Sequence, residues 1–256
     1  MNRLTLITGA CGGIGHSLCQ YFIEQGDRVI ALDRDAPALA SLQAELGAAC
    51  LTATADLTDA DAVQQALAPL LQAHGPVQVL IANAGAAAAT TLQHTTPALW
   101  QQDIALNLNG TYHSVEAVRP GMMQQGKGAI VLIGSVNGMA ALGHPAYSAA
   151  KAGLISYTRA LALEYGRHGI RANIVCPGTV KTPAWQARVD KNPQVFEHLK
   201  KWYPLGDFAT PLDIAKAAWF LASDDARMIS GVSLPVDGGL MAGNRVMAEE
   251  LTLEAF

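Results

Sequence analysis

Tyr147 and Lys151, in the segment YSAAK, are the pair of residues whose spacing most directly points to chemistry. A separation of four places both side chains on the same face of a helix. Tyrosine ordinarily titrates near pH ~10, and a cation within a few ångström favours the phenolate and lowers that pKa. The pair could therefore act as an acid or base near neutral pH, although the same spacing is also common on solvated helix faces.

The elements that must position this pair follow a repeating pattern of apolar strand and amphipathic helix. Helical patterns separate the apolar runs, and strands of this apolar kind alternating with helices indicate a parallel sheet covered on both faces. The fold class is therefore α/β. The predicted strands span 4–8, 28–33, 51–56, 77–83, 129–134, 171–176 and 232–236.

A glycine-rich turn, TGACGGIG at residues 8–15, joins the first predicted strand to the first helix. Glycine lets the backbone approach a pyrophosphate closely, and the amides and positive dipole end of the following helix favour phosphate. Gly9, Gly12, Gly13 and Gly15 therefore predict a dinucleotide site, although glycine also simply makes tight turns.

Asp33 closes the second predicted strand, and Arg34 follows it. A carboxylate at this place can accept hydrogen bonds from an adenosine ribose and would repel a 2′-phosphate. Arg34 is the competing signal, because a guanidinium could bind that phosphate. We therefore expect NAD as the cofactor, in preference to NADP.

Polar residues also follow the third, fourth and fifth predicted strands. Asp56, with Leu57, lies where an adenine ring would meet the sheet, although a turn role suits Asp56 nearly as well. Asn83 is expected to hydrogen-bond locally and hold neighbouring strand ends together. Ser135 follows the fifth strand at the carboxyl end of the sheet, where ligands bind in open α/β folds, so its hydroxyl could bind a substrate oxygen.

Two features concern the predicted helices. Asn107 lies inside a helical pattern, where asparagine is unfavourable, and so indicates a local distortion or a polar role. The small residues Ala149, Ala150 and Ala152 beside the Tyr147 pair permit close approach of another helix. They suit an oligomer interface and packing against the sheet equally well.

Composition limits the class of protein. The 256 residues are 50% hydrophobic and 15% charged, which we interpret as one domain spanning 1–256. A net charge of -4 without basic runs argues against a nucleic-acid partner. The four cysteines show no metal-ligand spacing, so we expect reduced thiols and no metal. With no leader pattern and no membrane-length apolar run, we expect a cytoplasmic protein without a membrane partner.

The stretch from 177 to about 210 shows no strand pattern, and we expect a substrate lid at 181–210, because so long a connection is more often functional than idle. Its cations and aromatics suit a polar or anionic substrate, or they form a solvated face and internal packing. Asn137 and His144 are further candidate substrate contacts, although a backbone-bonded histidine is the more frequent case. The lid cations and aromatics are Lys181, Arg188, Lys191, Lys200, Lys201, Trp185, Trp202 and Tyr203.

Together these residues resemble the short-chain dehydrogenases/reductases, over residues 8–239. The resemblance rests on the glycine-rich turn, NAG at 83–85, Asn107, Ser135, Tyr147 with Lys151, and PGTVKT at 177–182. It implies a three-layer Rossmann fold, with a doubly wound seven-stranded parallel sheet in the order 3-2-1-4-5-6-7 and helices on both faces, and a homotetramer. Two departures are Ala82, where many members have a second asparagine, and a C-terminal tail at 240–256.

The resemblance also implies a role for each matching residue. Tyr147 would be the catalytic acid/base, Lys151 would hold the nicotinamide ribose and lower the pKa of Tyr147, and Ser135 would orient the substrate oxygen. Asn107 would anchor a water in the proton relay. The implied cofactor contacts are Gly9, Gly12, Gly13, Ile14, Gly15, Asp33, Arg34, Asp56, Leu57, Asn83, Ala84, Gly85, Tyr147, Lys151, Pro177, Gly178, Val180 and Thr182. The candidate substrate contacts are Ser135, Asn137, His144, Tyr147 and Trp185.

We therefore expect an NAD-dependent oxidoreductase that moves a hydride between nicotinamide and a secondary alcohol or sugar hemiacetal carbon. The expected substrate is small and polar, such as an aldose, and the lid cations also suit an anionic one. One alternative is a 3-oxoacyl-thioester (acyl carrier protein) reductase, which Asp33 disfavours because that activity is expected to prefer NADPH. The other is a nucleotide-sensing protein without turnover, which has no need of a poised phenol.

Overall fold

Seven apolar segments pair as one parallel sheet in the computed structural model, which describes residues 3–255 apart from the side chains of Ala184 and Ala187. Met1, Asn2 and Phe256, which belong to the predicted domain and tail, lie outside the described residues. The strands are β1 (Leu4–Thr8), β2 (Arg28–Asp33), β3 (Cys50–Thr54), β4 (Val79–Ala82), β5 (Gly128–Ile133), β6 (Ile170–Pro177) and β7 (Ser233–Val236). Their order, β3-β2-β1-β4-β5-β6-β7, confirms the order that the resemblance implied.

Helices connect the strands and cover both faces of the sheet, which confirms the three-layer Rossmann fold. They are α1 (Gly13–Glu24), α2 (Ala36–Leu46), α3 (Ala60–His74), α4 (Pro97–Ile104), α5 (Gly110–Gln125), α6 (Pro145–Tyr165), α7 (Gln186–Lys191), α8 (Val195–Lys200), α9 (Pro211–Ala222) and α10 (Arg245–Thr252). A π-helical segment, Ala105–Asn109, joins α4 to α5.

Two apolar layers, one on each face, hold the sheet between the helices. Side chains alternate between faces along a strand, so Leu6 packs with α3, α5 and α6 while its neighbour Ile7 packs with α1, α2 and α9. All five residues of β1 are buried. Covering both faces in this way explains why the strands are apolar at nearly every position instead of at alternate ones.

The predicted lid, 181–210, is folded and carries its own aromatic cluster. A 3₁₀ turn at Pro183–Trp185 leads into α7 and α8, and a single parallel bridge between Val180 and Ala209 ties the two ends of the segment together. The Phe196 ring lies 5.3 Å from that of Trp185 and 5.6 Å from that of Phe208. Much of the aromatic content of the segment therefore serves internal packing.

The C-terminal part of the predicted tail forms α10, whose start is capped by Asn244 through a hydrogen bond to the amide of Met247. Between residues 3 and 255, no helix combines the length and the apolar character that crossing a bilayer requires.

Candidate active site

A cleft of about 430 Å³ opens at the carboxyl end of the sheet. It is the position at which ligands bind in open α/β sheets. The structure brings to this cleft every residue that the resemblance implied as a cofactor contact, namely Gly9, Gly12, Gly13, Ile14, Gly15, Asp33, Arg34, Asp56, Leu57, Asn83, Ala84, Gly85, Tyr147, Lys151, Pro177, Gly178, Val180 and Thr182. Ser135 and Trp185 also line it.

The turn between β1 and α1 depends on two glycines. Gly9 has a φ of +63°, and a Cβ there would stand 2.7 Å from the Cα of Ala84. A Cβ on Gly15 would stand 2.0 Å from the carbonyl oxygen of Gly9. Neither position can accept a side chain unless backbone moves, so these glycines fix the close approach of the turn to the next strand end.

The N-terminus of α1 is open toward the cleft. Gly12 occupies the N-cap without a side-chain hydrogen bond, and the first turn contains no acidic residue. The free amides and the positive end of the helix dipole favour an anion at this place. A pyrophosphate therefore fits the residues present, and no side chain of the glycine turn competes for the amides.

Asp33, at the end of β2, is fixed beside the glycine turn. Its Oδ2 accepts a hydrogen bond from the amide of Cys11 at 3.0 Å, and its Oδ1 accepts one from the amide of Arg34 at 2.8 Å. Both Asp33 and Arg34 face the cleft. The carboxylate that favours NAD and the guanidinium that favours NADP thus lie side by side.

Asn83 joins the ends of β1 and β4. Its Nδ2 donates to the carbonyl oxygens of Thr8 and Gly9, each at 3.1 Å, while the hydroxyl of Thr8 accepts from the amides of Asn83 and Ala84. The predicted local role of Asn83 is confirmed. These bonds hold the glycine turn and the segment after β4 at a fixed separation.

Asp56 has the turn role that the sequence left open as an alternative to contact with adenine. Its Oδ1 accepts hydrogen bonds from the amide and the hydroxyl of Thr58, both at 2.8 Å. These bonds favour the carboxylate and lower the pKa of Asp56. The side chain nevertheless faces the cleft.

Tyr147 and Lys151 project from the first turns of α6 into the same cleft. The Nζ of Lys151 lies 5.5 Å from the centre of the Tyr147 ring and donates a hydrogen bond to the carbonyl oxygen of Ile133 at 2.8 Å. Lys151 is only 2% exposed. Ser135, at the end of β5, lies near enough to the phenol to influence its pKa, and its hydroxyl donates to the Oδ1 of Asn137 at 3.4 Å. A phenol, a hydroxyl and an ammonium thus line the same cleft.

Burial controls the ionisation of this pair. It lowers the pKa of Lys151 to about 8 and raises that of Tyr147, and the neighbouring Ser135 hydroxyl offsets only part of the rise. Loss of hydration disfavours the phenolate, and the ammonium is held by the carbonyl of Ile133. That Lys151 lowers the pKa of Tyr147 stays a prediction.

Asn107 lies behind the cleft, in the π-helical segment, and does not line it. Its Oδ1 accepts from the amide of Ala86 at 3.2 Å, and its Nδ2 donates to the carbonyl oxygens of Ala86 and Asp103, each at 2.8 Å. A Cβ on Gly85 would stand 2.7 Å from this Oδ1 and 3.2 Å from the Nζ of Lys151. The distortion that Asn107 indicated is confirmed, and its side chain fixes the loop that packs against Lys151.

Two candidate substrate contacts, Asn137 and His144, are not among the described residues that line the cleft. The Nδ2 of Asn137 donates to the carbonyl oxygens of Leu142 and Gly143. The ring nitrogens of His144 lie 3.0 Å from the carbonyl oxygen of Ala89 and 3.0 Å from a nitrogen of Arg188. Both side chains therefore organise the loop that precedes α6.

Some lining residues were not predicted. They are apolar or glycine and carry no polar signal, but most of them adjoin predicted residues at strand ends, which is the signal that could have found them. They are Leu32, Ala55, Ala86, Leu106, Ile133 and Gly134.

Known proteins resemble this chain along nearly its whole length. A family model described as enoyl-(acyl carrier protein) reductase matches residues 9–241. A crystal structure of an oxidoreductase of the short-chain dehydrogenase/reductase family from Burkholderia thailandensis is 64% identical, with a TM-score of 0.96, covering 100% of this chain and 99% of that chain.

Two curated relatives are also similar. An uncharacterized oxidoreductase of Schizosaccharomyces pombe is 46% identical over 253 residues, which cover 98% of this chain and 96% of the relative. Galactitol 2-dehydrogenase (L-tagatose-forming) of Cereibacter sphaeroides is 38% identical over 238 residues, which cover 91% of this chain and 92% of the relative.

Solved structures of similar fold contain either form of the cofactor. A structure of ElxO with NADP bound is 28% identical, with a TM-score of 0.89, covering 95% of this chain and 100% of that chain. A 3-ketoacyl-(acyl-carrier-protein) reductase from Brucella melitensis complexed with NADH is 29% identical, with a TM-score of 0.86, covering 93% and 98%. The likeness therefore leaves the choice between NAD and NADP open.

Proposed function

Because this chain belongs to the short-chain dehydrogenase/reductase family of oxidoreductases, we propose that it is an NAD-dependent dehydrogenase acting on a secondary alcohol or a sugar hemiacetal carbon of a small polar substrate. The observation that carries this proposal is that Ser135, Tyr147 and Lys151 line the same cleft as the open N-terminus of α1.

In the proposed reaction the nicotinamide, when bound, accepts a hydride from the alcohol carbon. Ser135 holds the substrate oxygen by a hydrogen bond, and Tyr147, in its phenolate form, takes the hydroxyl proton as general base and becomes the neutral phenol. In the reverse direction Tyr147 gives this proton back to the carbonyl oxygen. Lys151, with its ammonium on the carbonyl of Ile133, holds a positive charge beside the phenol. It would also hydrogen-bond the nicotinamide ribose.

The residues that would hold the cofactor follow from the cleft. The amides of the glycine turn would bind the pyrophosphate, and Val180 and Thr182 would meet the carboxamide of the nicotinamide. Asp33, with its carboxylate fixed at the ribose position by the amide of Cys11, supports NAD. Arg34 is the feature that would favour NADP.

The proposed substrate class is supported by the polar groups near Tyr147 and by the galactitol 2-dehydrogenase relative. Ser135 offers a hydroxyl, and the aromatic Trp185 lines the same cleft, as suits a sugar or polyol. The proposed oxidation of an aldose gives a lactone, and that of a secondary alcohol gives a ketone.

The proposal is tested by mixing the purified protein with sugars, polyols, sugar acids and sulfonates, each with NAD and with NADP, and recording absorbance of the reduced cofactor. We expect turnover with at least one polar alcohol, and faster turnover with NAD. Activity only on 3-oxoacyl thioesters with NADPH would favour the acyl carrier protein reductase. Cofactor binding without turnover on any alcohol or ketone would favour a nucleotide-sensing protein.

We also propose a homotetramer. On the outer face of α6, Ala149 and Ala152 are exposed and Leu163 is 84% exposed, while Tyr112 of α5 is 49% exposed. An exposed apolar surface that combines small alanines with Leu163 and Tyr112 supports close packing of another subunit. Light scattering coupled to gel filtration tests it, and a monomeric mass would contradict it.

A further inference from the structure

The cations of the lid segment (181–210) differ in their surroundings. Lys181 pairs with Asp207 at 3.3 Å, and Lys200 pairs with Glu197 at 2.8 Å. The Nζ of Lys201 lies 4.8 Å from the ring centre of Trp202. These contacts explain the three lysines as ordinary surface and packing features, so none of them needs an external partner.

Arg188 has a different environment. Its guanidinium carbon lies 4.7 Å from the ring centre of Trp185, which lines the cleft, and one terminal nitrogen lies 3.0 Å from the Nε2 of His144. Within residues 3–255, no carboxylate forms an ion pair with it. Stacking and the hydrogen bond therefore hold the guanidinium in a fixed orientation. Among the described residues, no carboxylate neutralises its positive charge.

His144 can hold Arg188 in this way in only one tautomer. Its Nδ1 lies 3.0 Å from the carbonyl oxygen of Ala89, which can only accept, so Nδ1 carries the hydrogen. The Nε2 is then the acceptor for an N–H of Arg188. The histidine backbone has a φ of 51°, in the left-handed region that side-chain-bearing residues rarely adopt. Such a conformation at the edge of a site is commonly kept for function.

The position of His144 relates Arg188 to the reacting group. The His144 ring centre lies 6.4 Å from that of Tyr147, with the two rings nearly perpendicular. Arg188 is not among the described residues that line the cleft, but it contacts both the Nε2 of this imidazole and the ring of Trp185, which does line it. A short substrate whose alcohol reaches Tyr147 would therefore have its other end near the guanidinium.

We propose that Arg188 determines specificity by binding an anionic group of the alcohol substrate, a carboxylate, phosphate or sulfonate a few bonds from the reacting carbon. This inference rests on the proposed dehydrogenase function and deepens it. A guanidinium has five N–H donors in a planar fork, which matches such oxyanions, and the contact with His144 uses one of its nitrogens. The stacking on Trp185 reduces the entropy lost on binding. His144 is the positioning residue.

The experiment compares matched substrate pairs: a polyol with its sugar acid, a sugar with its terminal phosphate, and an alkanol with its sulfonate. Kinetics of the wild-type protein are measured beside Arg188→Gln, and beside Lys191→Gln as the control that removes one charge from the same short helix. We expect the wild type to prefer the anionic member of one pair. Arg188→Gln should raise the KM for that member at least about tenfold with little change in kcat, and leave the neutral member unchanged.

His144→Asn tests the positioning role, because asparagine tolerates the left-handed backbone and lacks the Nε2 acceptor. We expect it to raise the KM for the anionic member more than that for the neutral one, and Lys191→Gln to change neither. The pair with the largest response identifies the oxyanion.

Equal effects of Arg188→Gln on both members of every pair, or no effect on either, would overturn the assignment while the dehydrogenase function stands. If the wild type oxidises no member of any pair with either cofactor, the proposed function fails and this inference fails with it.

Discussion

The ammonium of Lys151 lies 5.5 Å from the ring centre of Tyr147 and is held by the carbonyl oxygen of Ile133 at the end of β5. Burial works against the charged form of both groups, since it raises the pKa of Tyr147 and lowers that of Lys151 to about 8. At neutral pH the phenol is uncharged and the ammonium is charged, so the burial of Lys151, and not that of Tyr147, lowers the stability of the fold.

Replacing Tyr147 by phenylalanine should lower kcat/KM by at least the ~10² expected of general acid-base catalysis, because the packing ring remains while the proton-carrying oxygen is lost. Initial rates with the best substrate give the measurement, and a thermal melt reports the fold. Tyr157→Phe is the matched control on the same helix, since the Tyr157 hydroxyl is buried without a hydrogen-bond partner among the described residues. Near-normal turnover of folded Tyr147→Phe would refute the role of the phenol.

Titration of the protein should show Tyr147 ionising above the usual tyrosine value of ~10, because burial favours the neutral phenol. Subtracting the ultraviolet titration curve of Tyr147→Phe from that of the wild type isolates this phenol. Appearance of tyrosinate below pH 9 in the difference curve would show that the ammonium outweighs burial.

Lys151→Met should stabilise the protein at pH 7 while abolishing most activity. Below pH 8, Lys151 is charged in both the folded and the unfolded state. The lowering of its pKa from 10.5 to about 8 corresponds to a burial penalty of roughly 3 kcal/mol, which the variant no longer pays. The variant also loses the hydrogen bond to Ile133, which offsets part of this gain. Between pH 8 and 10.5 the unfolded state binds more protons than the folded state, so the wild type gains stability and the advantage of the variant shrinks.

Denaturant unfolding of wild type and Lys151→Met across this pH range measures the difference, with exposed Lys191→Met as the control for simple loss of a lysine. A variant less stable than the wild type at pH 7, or a difference independent of pH, would contradict the burial penalty.

Gly15→Ala should cost several kcal/mol of stability or prevent folding, because its Cβ would stand 2.0 Å from the Gly9 carbonyl oxygen and 2.8 Å from the Cα of Ala10. Gly166→Ala is the control, since Gly166 has a helical backbone and nothing within 4 Å of its Cβ position. It should be neutral or slightly stabilising. Melting temperatures decide the outcome, and an unchanged Gly15→Ala would mean that the turn can relax.

Asp33→Ala should raise the use of NADP relative to NAD, because it removes the carboxylate that would repel a 2′-phosphate and leaves Arg34 free to bind it. The ratio of kcat/KM values for the two cofactors is measured. Asp35→Asn is the control, since Asp35 caps α2 beside Arg34 and asparagine preserves the cap. An unchanged ratio in Asp33→Ala would refute the role of Asp33.

The sequence predicted the sheet well because the central strands are apolar on both faces and each strand is followed closely by a glycine or polar signal. β1 and β2 begin and end at the predicted residues. The helix distortion around Asn107 was also predicted from the sequence, because an asparagine inside a helix is expected to hydrogen-bond backbone groups where the regular helix is interrupted.

Other features of the site depend on contacts between segments distant in the chain. The link between His144 and Arg188 requires the lid to fold back onto the loop before α6, across 44 positions, and no local pattern specifies that docking. The sequence also could not predict that the pKa of Tyr147 is raised. Residue spacing indicates how close a cation lies, but it does not give the degree of burial.

α4, the π-helical segment and α5 follow one another without a break as one long rod. The π-helical segment sets how far α5 is rotated about the helix axis relative to α4. One residue fewer between 105 and 109 would allow an ordinary α-helix, and each residue turns such a helix by about 100°. Everything after the deletion would rotate by that amount relative to α4, so the Asn107 amide and the face of α5 that meets the sheet could not both keep their places. Along this rod, a change of length should therefore be far more damaging than a change of residue type.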